Sequence, residues 1–124
     1  MENFNEMVNQ PFPVLVDFYA EWCGPCRMMK PVLEEVKKMM GDSIRIIKID
    51  VDKHESLANS FQIQSVPTLM IFKNGKMLWR QSGVMRTSQL TQLLQQYEKP
   101  WKELQPYYWC WSSVFPCLRK IRKK

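Results

Sequence analysis

The stretch VLVDFYA at residues 14–20 is almost continuously apolar and rich in β-branched and aromatic side chains. A strand of this kind is buried on both faces, so other elements must cover it on each side. After Cys23 the apolar spacing becomes helical. Pro31 lies inside this helix and predicts a kink, and Gly41 predicts its end. The residues of its apolar face are Met29, Val32, Leu33, Val36 and Met40.

The rest of the chain supplies three further strands. Residues 44–50 (IRIIKID) predict a second strand, which the helix connects in parallel to the first by a right-handed crossover. Residues 68–72 and 76–80 predict a β-hairpin around the turn Asn74-Gly75. The sequence therefore predicts an α/β sandwich, in which a mixed sheet of about four strands carries helices on both faces.

Three more helices complete the prediction. Apolar spacing predicts a short opening helix at Phe4, Met7 and Val8 that ends before Pro11 and Pro13. Asp52 and Glu55 resemble a capping box and predict a helix that continues through Phe61. A closing amphipathic helix is predicted to end near Pro100, and its apolar residues are Leu90, Leu93, Leu94 and Tyr97.

Composition and charge limit the classes of partner. With 124 residues, 45% of them hydrophobic, the chain fits one compact domain. Residues 1–98 carry equal numbers of basic and acidic residues, so the formal charge of +6 lies wholly in residues 99–124. That segment shows no nucleic-acid motif beyond its charge, and we expect no nucleic-acid partner. The opening MENFNEMVNQ lacks the features of a signal peptide, and we expect a cytoplasmic protein with reduced thiols.

The motif EWCGPCR at residues 21–27 brings Cys23 and Cys26 together across Gly24 and Pro25. Such a pair can be half of a metal site, a structural disulfide or a redox-active dithiol. Zinc needs about four ligands, and beside this pair the chain offers only His54 and two distant cysteines. A permanent disulfide is disfavoured in a reducing compartment. The residues therefore favour the redox pair over the metal and structural alternatives, and we expect no metal.

The position of the pair supports redox chemistry. Cys23 stands where the first strand ends and the helix begins, and free N–H groups there stabilise a thiolate. Cys26 follows three residues later, so a disulfide can close within one helical turn. Pro25 has a preset φ suited to the first turn, and Gly24 lets another chain approach closely. Thiol–disulfide exchange needs an exposed attacking sulfur and a nearby second sulfur that resolves the mixed disulfide, so we expect Cys23 to be exposed.

Four separate stretches together resemble the thioredoxin family: VDFYAEWCGPCRMMKP, IKIDVD, SVPTLMIFKNGK and the later SGV. The resemblance covers residues 1–98 and implies a three-layer thioredoxin-like fold. It implies a reductase of protein disulfides that binds no cofactor, works through a redox-active Cys23–Cys26 disulfide, and is itself reduced by thioredoxin reductase with NADPH. Within the pair, it implies that Cys23 is the nucleophile and Cys26 the resolving thiol.

The resemblance also assigns two charged residues to the catalytic site. Asp17 matches the family's buried acid, which is thought to relay a proton from Cys26. A carboxylate inside an apolar strand is expected to have a raised pKa, which suits a general base near neutral pH. The alternative for Asp17 is a structural carboxylate satisfied by backbone donors. Lys48 matches the family's partner to that acid, and taken alone it is a solvated strand residue.

A substrate-docking surface is implied around Pro67, which matches the family's cis-proline facing the disulfide. A proline at this position leaves the backbone of Val66 free to pair with an extended substrate segment. Trp22, Gly83 and Val84 complete a flat apolar surface, which Gly24 and Pro25 adjoin. Trp22 could equally serve in packing, and His54 is expected to be a loop residue and no catalyst.

Two departures from the family qualify these expectations. Only 13 residues precede VLVDF, too few for the first edge strand and helix of many thioredoxins, so IRIIKID is expected at an exposed edge. Residues 99–124 have no counterpart in the family. They hold Cys110 and Cys117, which could be acylated or form a second redox pair. Their aromatic and basic residues predict weak contact with an anionic membrane, against an unstructured terminus or a strand over the bare edge.

Two functions of different class are therefore carried forward. The first is a monomeric protein-disulfide reductase made of a thioredoxin domain at residues 1–98 and an aromatic, basic extension at 99–124. The second is a non-catalytic docking module that uses the extension as its working surface. The complete Cys23 and Cys26 pair favours the enzyme, because a scaffold has no need of it.

Overall fold

A computed structural model describes residues 3–98 of the chain. These residues form four strands and four helices, with a short 3-10 turn at Gly41–Ser43 between the second helix and the second strand. The elements are α1 (Phe4–Val8), β1 (Val14–Tyr19), α2 (Gly24–Met40), β2 (Arg45–Asp50), α3 (Glu55–Ser60), β3 (Thr68–Lys73), β4 (Lys76–Ser82) and α4 (Thr87–Glu98). The predicted tail at residues 99–124 lies outside the described residues.

The four strands form one mixed sheet in the order β2-β1-β3-β4. β1 pairs in parallel with β2 and antiparallel with β3, and β3 pairs antiparallel with β4. The prediction of a mixed four-stranded α/β fold is confirmed. β2 stands at the edge of the sheet, as the short N-terminal segment led us to expect, and within residues 3–98 no further strand pairs with it.

Each face of the sheet has its own apolar cluster. On one face, α2 and α4 pack through Leu33 and Leu90 against Leu15 and Ile71 of the sheet. On the other face, α1 and the end of α3 pack against Phe18 and Phe72. β1 contributes alternate residues to both clusters, which explains why its sequence is apolar almost without interruption. Within the described residues no helix combines the length and apolar character that a membrane crossing requires.

The helix ends show where local sequence rules succeed. α2 ends before Gly41, whose φ of 62° is the left-handed conformation that favours glycine. Its N–H donates to the carbonyl oxygen of Lys37, as a helix C-cap should. The helix runs from residue 24 to residue 40 with Pro31 inside it, so the proline does not end the helix, and the kink stays a prediction.

The predicted capping box at Asp52 is wrong. His54 is the N-cap of α3, and no side chain caps that helix. The side chain of Asp52 accepts a hydrogen bond from the indole Nε1 of Trp22 at 2.9 Å instead. The backbone N–H of Asp52 is bound by the Asp50 carboxylate at 2.9 Å. A long-range acceptor role thus replaces the local one that the spacing suggested.

Four phenylalanines hold the α1 side of the sheet together. Phe4 makes edge-on contacts with Phe61 and Phe72, each with ring centroids 5.5 Å apart. α1 has only five residues, and a helix this short depends on packing for its stability. Phe61 also contacts Phe72 and Phe18, so the loss of Phe4 would leave a cavity beside three other rings.

We expect Phe4→Ala to lower the free energy of unfolding by about 3 kcal/mol, the range for a buried aromatic truncated to alanine. Urea unfolding followed by circular dichroism measures this change. Asn5→Ala is the matched control, because Asn5 lies in the same helix with its side chain exposed. Equal, small losses in the two variants would contradict a structural role for the aromatic cluster.

Candidate redox-active site

Cys23 and Cys26 form a disulfide at the start of α2. Cys23 is the N-cap of the helix, Cys26 lies in its first turn, and their Cα atoms are 5.3 Å apart. The backbone N–H of Cys26 points at the Sγ atom of Cys23 with an N–Sγ distance of 3.1 Å. This contact and the helix dipole both stabilise negative charge on Cys23 Sγ, so the first cysteine is the one whose thiolate is favoured.

The expectation of an exposed attacking sulfur is wrong for this disulfide state. Cys23 is 4% exposed and Cys26 is 6% exposed. The loop before β3 covers the pair, and the carbonyl oxygen of Val66 lies 3.6 Å from Cys23 Sγ. Tyr19, Val51 and Val66 pack against the cluster that the two cysteines form with Ala20. The two cysteines therefore differ in the neighbours of their sulfurs, and hardly in the exposed fraction of the residue.

A cleft of about 300 Å³ lies beside Cys26 and reaches Asp17. Asp17 is 3% exposed, and its Oδ1 atom has no hydrogen-bond partner among the described residues. That finding argues against a carboxylate satisfied by backbone donors. Cys23 does not line this cleft. The other residues around it are Tyr19, Ala20, Glu21, Arg27, Lys30 and Lys48.

Burial controls the protonation of Asp17. Removal from water raises the pKa of this carboxyl from its ordinary value of 3.8 to about 6, although the positive charge of Lys48 lowers it. Lys48 is the residue of β2 paired with Asp17 in the sheet register, and it remains exposed. It is therefore both a solvated strand residue and a charged neighbour of Asp17. An acid with this pKa can take up and release a proton near neutral pH.

Three of the predicted docking residues, Val66, Pro67 and Gly83, belong to backbone segments that meet beside the disulfide. The Val66–Pro67 bond is cis, and the N–H of Gly83 donates to the carbonyl oxygen of Pro67 at 2.9 Å. This bond ties the end of β4 to the loop that touches Cys23. Gly83 adopts a φ of 102°, which suits only glycine. Within residues 3–98 the N–H of Val66 has no acceptor, so a further strand could use it.

Exposed apolar side chains flank this backbone. Trp22 is 68% exposed and Val84 is 44% exposed, while Gly24 and Pro25 are also open to solvent. Exposed apolar surface beside a reactive group is typical of a contact surface. The alternative of Trp22 as a packing residue is not supported by so high an exposure.

Sequence reasoning missed the role of Asp52, which holds the Trp22 indole. The available signal was the indole N–H of Trp22, which can only donate a hydrogen bond and so requires an acceptor. His54 occupies the N-cap position of α3 without a side-chain cap, and it is absent from the residues packed around the disulfide. Within the described part of the chain no three His, Cys, Asp or Glu side chains lie where they could hold a metal ion.

Comparisons with known proteins give one family. The thioredoxin family model matches residues 1–96. A thioredoxin-like protein of the cyanobacterium Synechocystis is 52% identical over 94 residues, which are 75% of this chain and 90% of that protein. The chloroplastic thioredoxin Y of rice is 48% identical over 94 residues, 75% of this chain and 56% of that protein. The chain thus spans just over half the length of this plant relative.

Solved structures agree with this assignment. A mutant thioredoxin from Halobacterium salinarum superposes with a TM-score of 0.68 at 34% identity, covering 76% of this chain and 80% of that one. Thioredoxin of Malassezia sympodialis superposes with a TM-score of 0.69 at 33% identity, covering 77% and 84%. The predicted fold is confirmed by these likenesses.

The raised pKa of Asp17 makes stability depend on pH. Because the pKa is 3.8 in the unfolded chain and about 6 in the folded one, the unfolded chain loses its proton first. The stability of the protein therefore falls as pH rises from about 4 to about 6, and stays lower above that range. The full difference is about 3 kcal/mol.

We expect Asp17→Asn to raise the free energy of unfolding at pH 8 by up to about 3 kcal/mol, with the gain shrinking toward pH 4. Urea unfolding at a series of pH values measures the difference. Asp42→Asn serves as the control, since that carboxylate is exposed. A gain that is the same at pH 4 and pH 8 would show that ionisation of Asp17 is not its cause.

Proposed function

The chain belongs to the thioredoxin family and is a thiol–disulfide oxidoreductase, and we propose that it acts as a reductase of protein disulfides. The observation that carries the proposal is the different surroundings of the two sulfurs. Cys23 Sγ receives the N–H of Cys26 at the helix start and touches the Val66 loop. Cys26 lines the cleft that contains Asp17.

In the first step, the reduced Cys23 thiolate attacks one sulfur of a substrate disulfide. The Cys23–substrate S–S bond forms as the substrate S–S bond breaks, and the second substrate sulfur leaves as a thiolate that takes a proton from solvent. The N–H of Cys26 and the helix dipole favour the thiolate form of Cys23 before the attack. The carbonyl oxygen of Val66 lies beside that sulfur, and its N–H has no acceptor within residues 3–98, so an extended substrate segment can pair with this backbone.

In the second step, Cys26 attacks Cys23 Sγ, so that the Cys23–Cys26 S–S bond forms as the Cys23–substrate S–S bond breaks. The departing substrate thiolate takes a proton from solvent, and the substrate leaves as a dithiol. The Cys26 thiol must lose its proton to attack, and Asp17 is the buried base across the shared cleft. A carboxyl with a pKa of about 6 accepts that proton and returns it to solvent near neutral pH. Two electrons pass to the substrate, and the protein is left with the Cys23–Cys26 disulfide.

The direction of the reaction follows from what separates the cysteines. Gly24 and Pro25 bring no charge, whereas a histidine between the cysteines would stabilise the thiolate and favour an oxidant. His54 lies at the start of α3 and cannot take that part. The pair therefore favours the disulfide form of the protein after it reduces a substrate, so a separate reductant must regenerate the dithiol. We propose thioredoxin reductase, supplied by NADPH, as that reductant.

We propose that the protein works as a monomer. We also propose that it works in the cytoplasm, because a reducing compartment regenerates the dithiol. The rice relative is named a chloroplastic protein, and fractionation of cells that express the chain tests the cytoplasmic location. The membrane contact, the roles of Cys110 and Cys117, and the docking-module alternative all concern residues 99–124, outside the described residues. They remain predictions from sequence.

NADPH consumption in the presence of thioredoxin reductase and insulin tests the proposal. We expect turnover that depends on this protein and on the insulin disulfides. A parallel assay with dithiothreitol as the reductant isolates the exchange chemistry from recognition by the reductase. Absence of insulin reduction in both assays would contradict the enzyme and favour the docking module.

We expect Cys23→Ser to abolish turnover, because no thiolate is left to attack, and Cys26→Ser to accumulate a mixed disulfide with insulin. Non-reducing electrophoresis with mass spectrometry detects the adduct and locates it. Both variants are made with Cys110→Ser and Cys117→Ser, so that no other thiol is counted. Accumulation of the adduct in the Cys23→Ser protein would reverse the two assignments.

A further inference from the structure

The loop between β4 and α4, residues 83–86, belongs to the predicted docking surface, and we call it the docking loop. Its backbone N–H groups fasten it to two other parts of the chain. The N–H of Gly83 donates to the carbonyl oxygen of Pro67 at 2.9 Å, which ties the loop to the segment before β3. The N–H of Met85 donates to the Sδ atom of Met29 at 3.4 Å, which ties the loop to α2. A sulfur atom thus anchors the docking loop to the helix that begins at the disulfide.

The contact between Met29 and Met85 is shielded from water. Met29 is fully buried and Met85 is 8% exposed, and both belong to the apolar cluster that α2 and α4 form on one face of the sheet. Among residues 3–98 the Sδ atom of Met29 is the one acceptor of the Met85 N–H. A buried N–H without an acceptor is unfavourable, so the loss of this sulfur would release the hold on the loop.

The residue type at position 29 matters for this contact. Methionine carries a weak acceptor, its thioether sulfur, on a flexible apolar side chain. Leucine fills nearly the same volume and accepts no hydrogen bond. Packing alone would therefore admit either residue, whereas the bond to the Met85 N–H requires the sulfur.

The anchor joins the redox pair to the surface that a substrate meets. Met29 follows Cys26 by three residues in the same helix, so α2 fixes its position relative to the disulfide. Val84, whose apolar side chain is exposed, directly precedes Met85 in the docking loop. The position of Val84 relative to the two sulfurs therefore depends on the bond between Met29 and Met85.

We propose that Met29 is a positioning residue, whose thioether holds the docking loop against α2 and so favours protein disulfides over small disulfides as substrates. The inference rests on the proposed reductase function and adds a determinant of its specificity. A protein substrate that docks on Val84 needs the loop in place, whereas a small disulfide needs only access to Cys23. Without the anchor, fewer molecules hold the loop in place, and the apparent affinity for a docking substrate falls by that fraction.

The alternative is that Met29 only fills space in the core, and Met70 provides the comparison. Met70 is also fully buried, but it lies in β3 and packs in the cluster on the other face of the sheet. Within the described residues its sulfur accepts no hydrogen bond. Met29→Leu and Met70→Leu therefore make the same chemical change at equal burial, and only the first removes an acceptor.

The test compares two disulfides of different size with the reduced full chain, in a protein that carries Cys110→Ser and Cys117→Ser. Insulin is the docking substrate and hydroxyethyl disulfide is the small one. Acid quenching, alkylation and mass spectrometry measure how fast each converts the Cys23 and Cys26 dithiol to the disulfide. We expect Met29→Leu to slow the reaction with insulin by roughly threefold to tenfold, the range for one net hydrogen bond, and to leave the rate with hydroxyethyl disulfide unchanged. Met70→Leu should change neither rate.

Two further measurements address the bond itself. Hydrogen exchange at the Met85 N–H, followed by NMR, should be faster in the Met29→Leu protein and unchanged in the Met70→Leu protein. A chain in which an ester oxygen replaces the Met85 N–H loses the donor and keeps both methionine side chains. It should slow the reaction with insulin as Met29→Leu does, and it tests the bond even if the leucine variant fails to fold.

Several results would overturn the inference. Equal slowing with insulin and with hydroxyethyl disulfide would show that Met29 acts on the cysteine pair and not on the docking loop. An unchanged rate with insulin in the Met29→Leu and ester chains, or the same loss in Met70→Leu, would reduce Met29 to a packing residue. Failure of the unsubstituted Met29 chain to react with either disulfide would contradict the reductase function, and this inference with it.

Discussion

Because β1 is apolar on both faces, the sheet needs helices on both sides, and the site depends on this arrangement. β1 leads into α2, so Cys23 falls at the helix start, where N–H groups are free to meet a thiolate. The parallel partner of β1 brings Lys48 beside Asp17. Its antiparallel partner β3 begins at the loop that carries Val66 and Pro67. Three elements of the redox site thus come from the pairing of one strand.

Asp17 is the only charged residue in that otherwise apolar strand. An ionised carboxylate without a partner is costly to bury, and the raised pKa expresses that cost. Proteins retain such costs where function requires them. Asp17 shares a cleft with Cys26. A base that titrates near neutral pH can accept the proton of that resolving thiol, so the unfavourable burial serves the proposed reaction. Burial of Asp17 therefore lowers the stability of the folded protein at neutral pH, and the same burial gives the carboxyl a pKa suited to proton transfer.

Features set by neighbouring residues could be predicted from sequence, and features set by distant residues could not. The end of α2 at Gly41 and the hairpin turn at Asn74 and Gly75 follow from local backbone preferences. The role of Asp52 depends on Trp22, 30 residues away, and a local capping rule gave the wrong answer. The low exposure of Cys23 likewise depends on Val66, 43 residues away. For the site itself, Asp17 and Val66 were named by the resemblance to the thioredoxin family. The structure places Asp17 in the cleft of Cys26 and Val66 beside Cys23.

The rates at which the two cysteines react with iodoacetamide test the central claim most directly. The reduced full chain is labelled with limiting reagent between pH 5 and pH 9, and peptide mass spectrometry assigns each adduct to its cysteine. The account predicts that Cys23 is labelled first at neutral pH, because its thiolate is stabilised by the helix start and by the N–H of Cys26. Equal labelling of both cysteines, or faster labelling of Cys26, would contradict it.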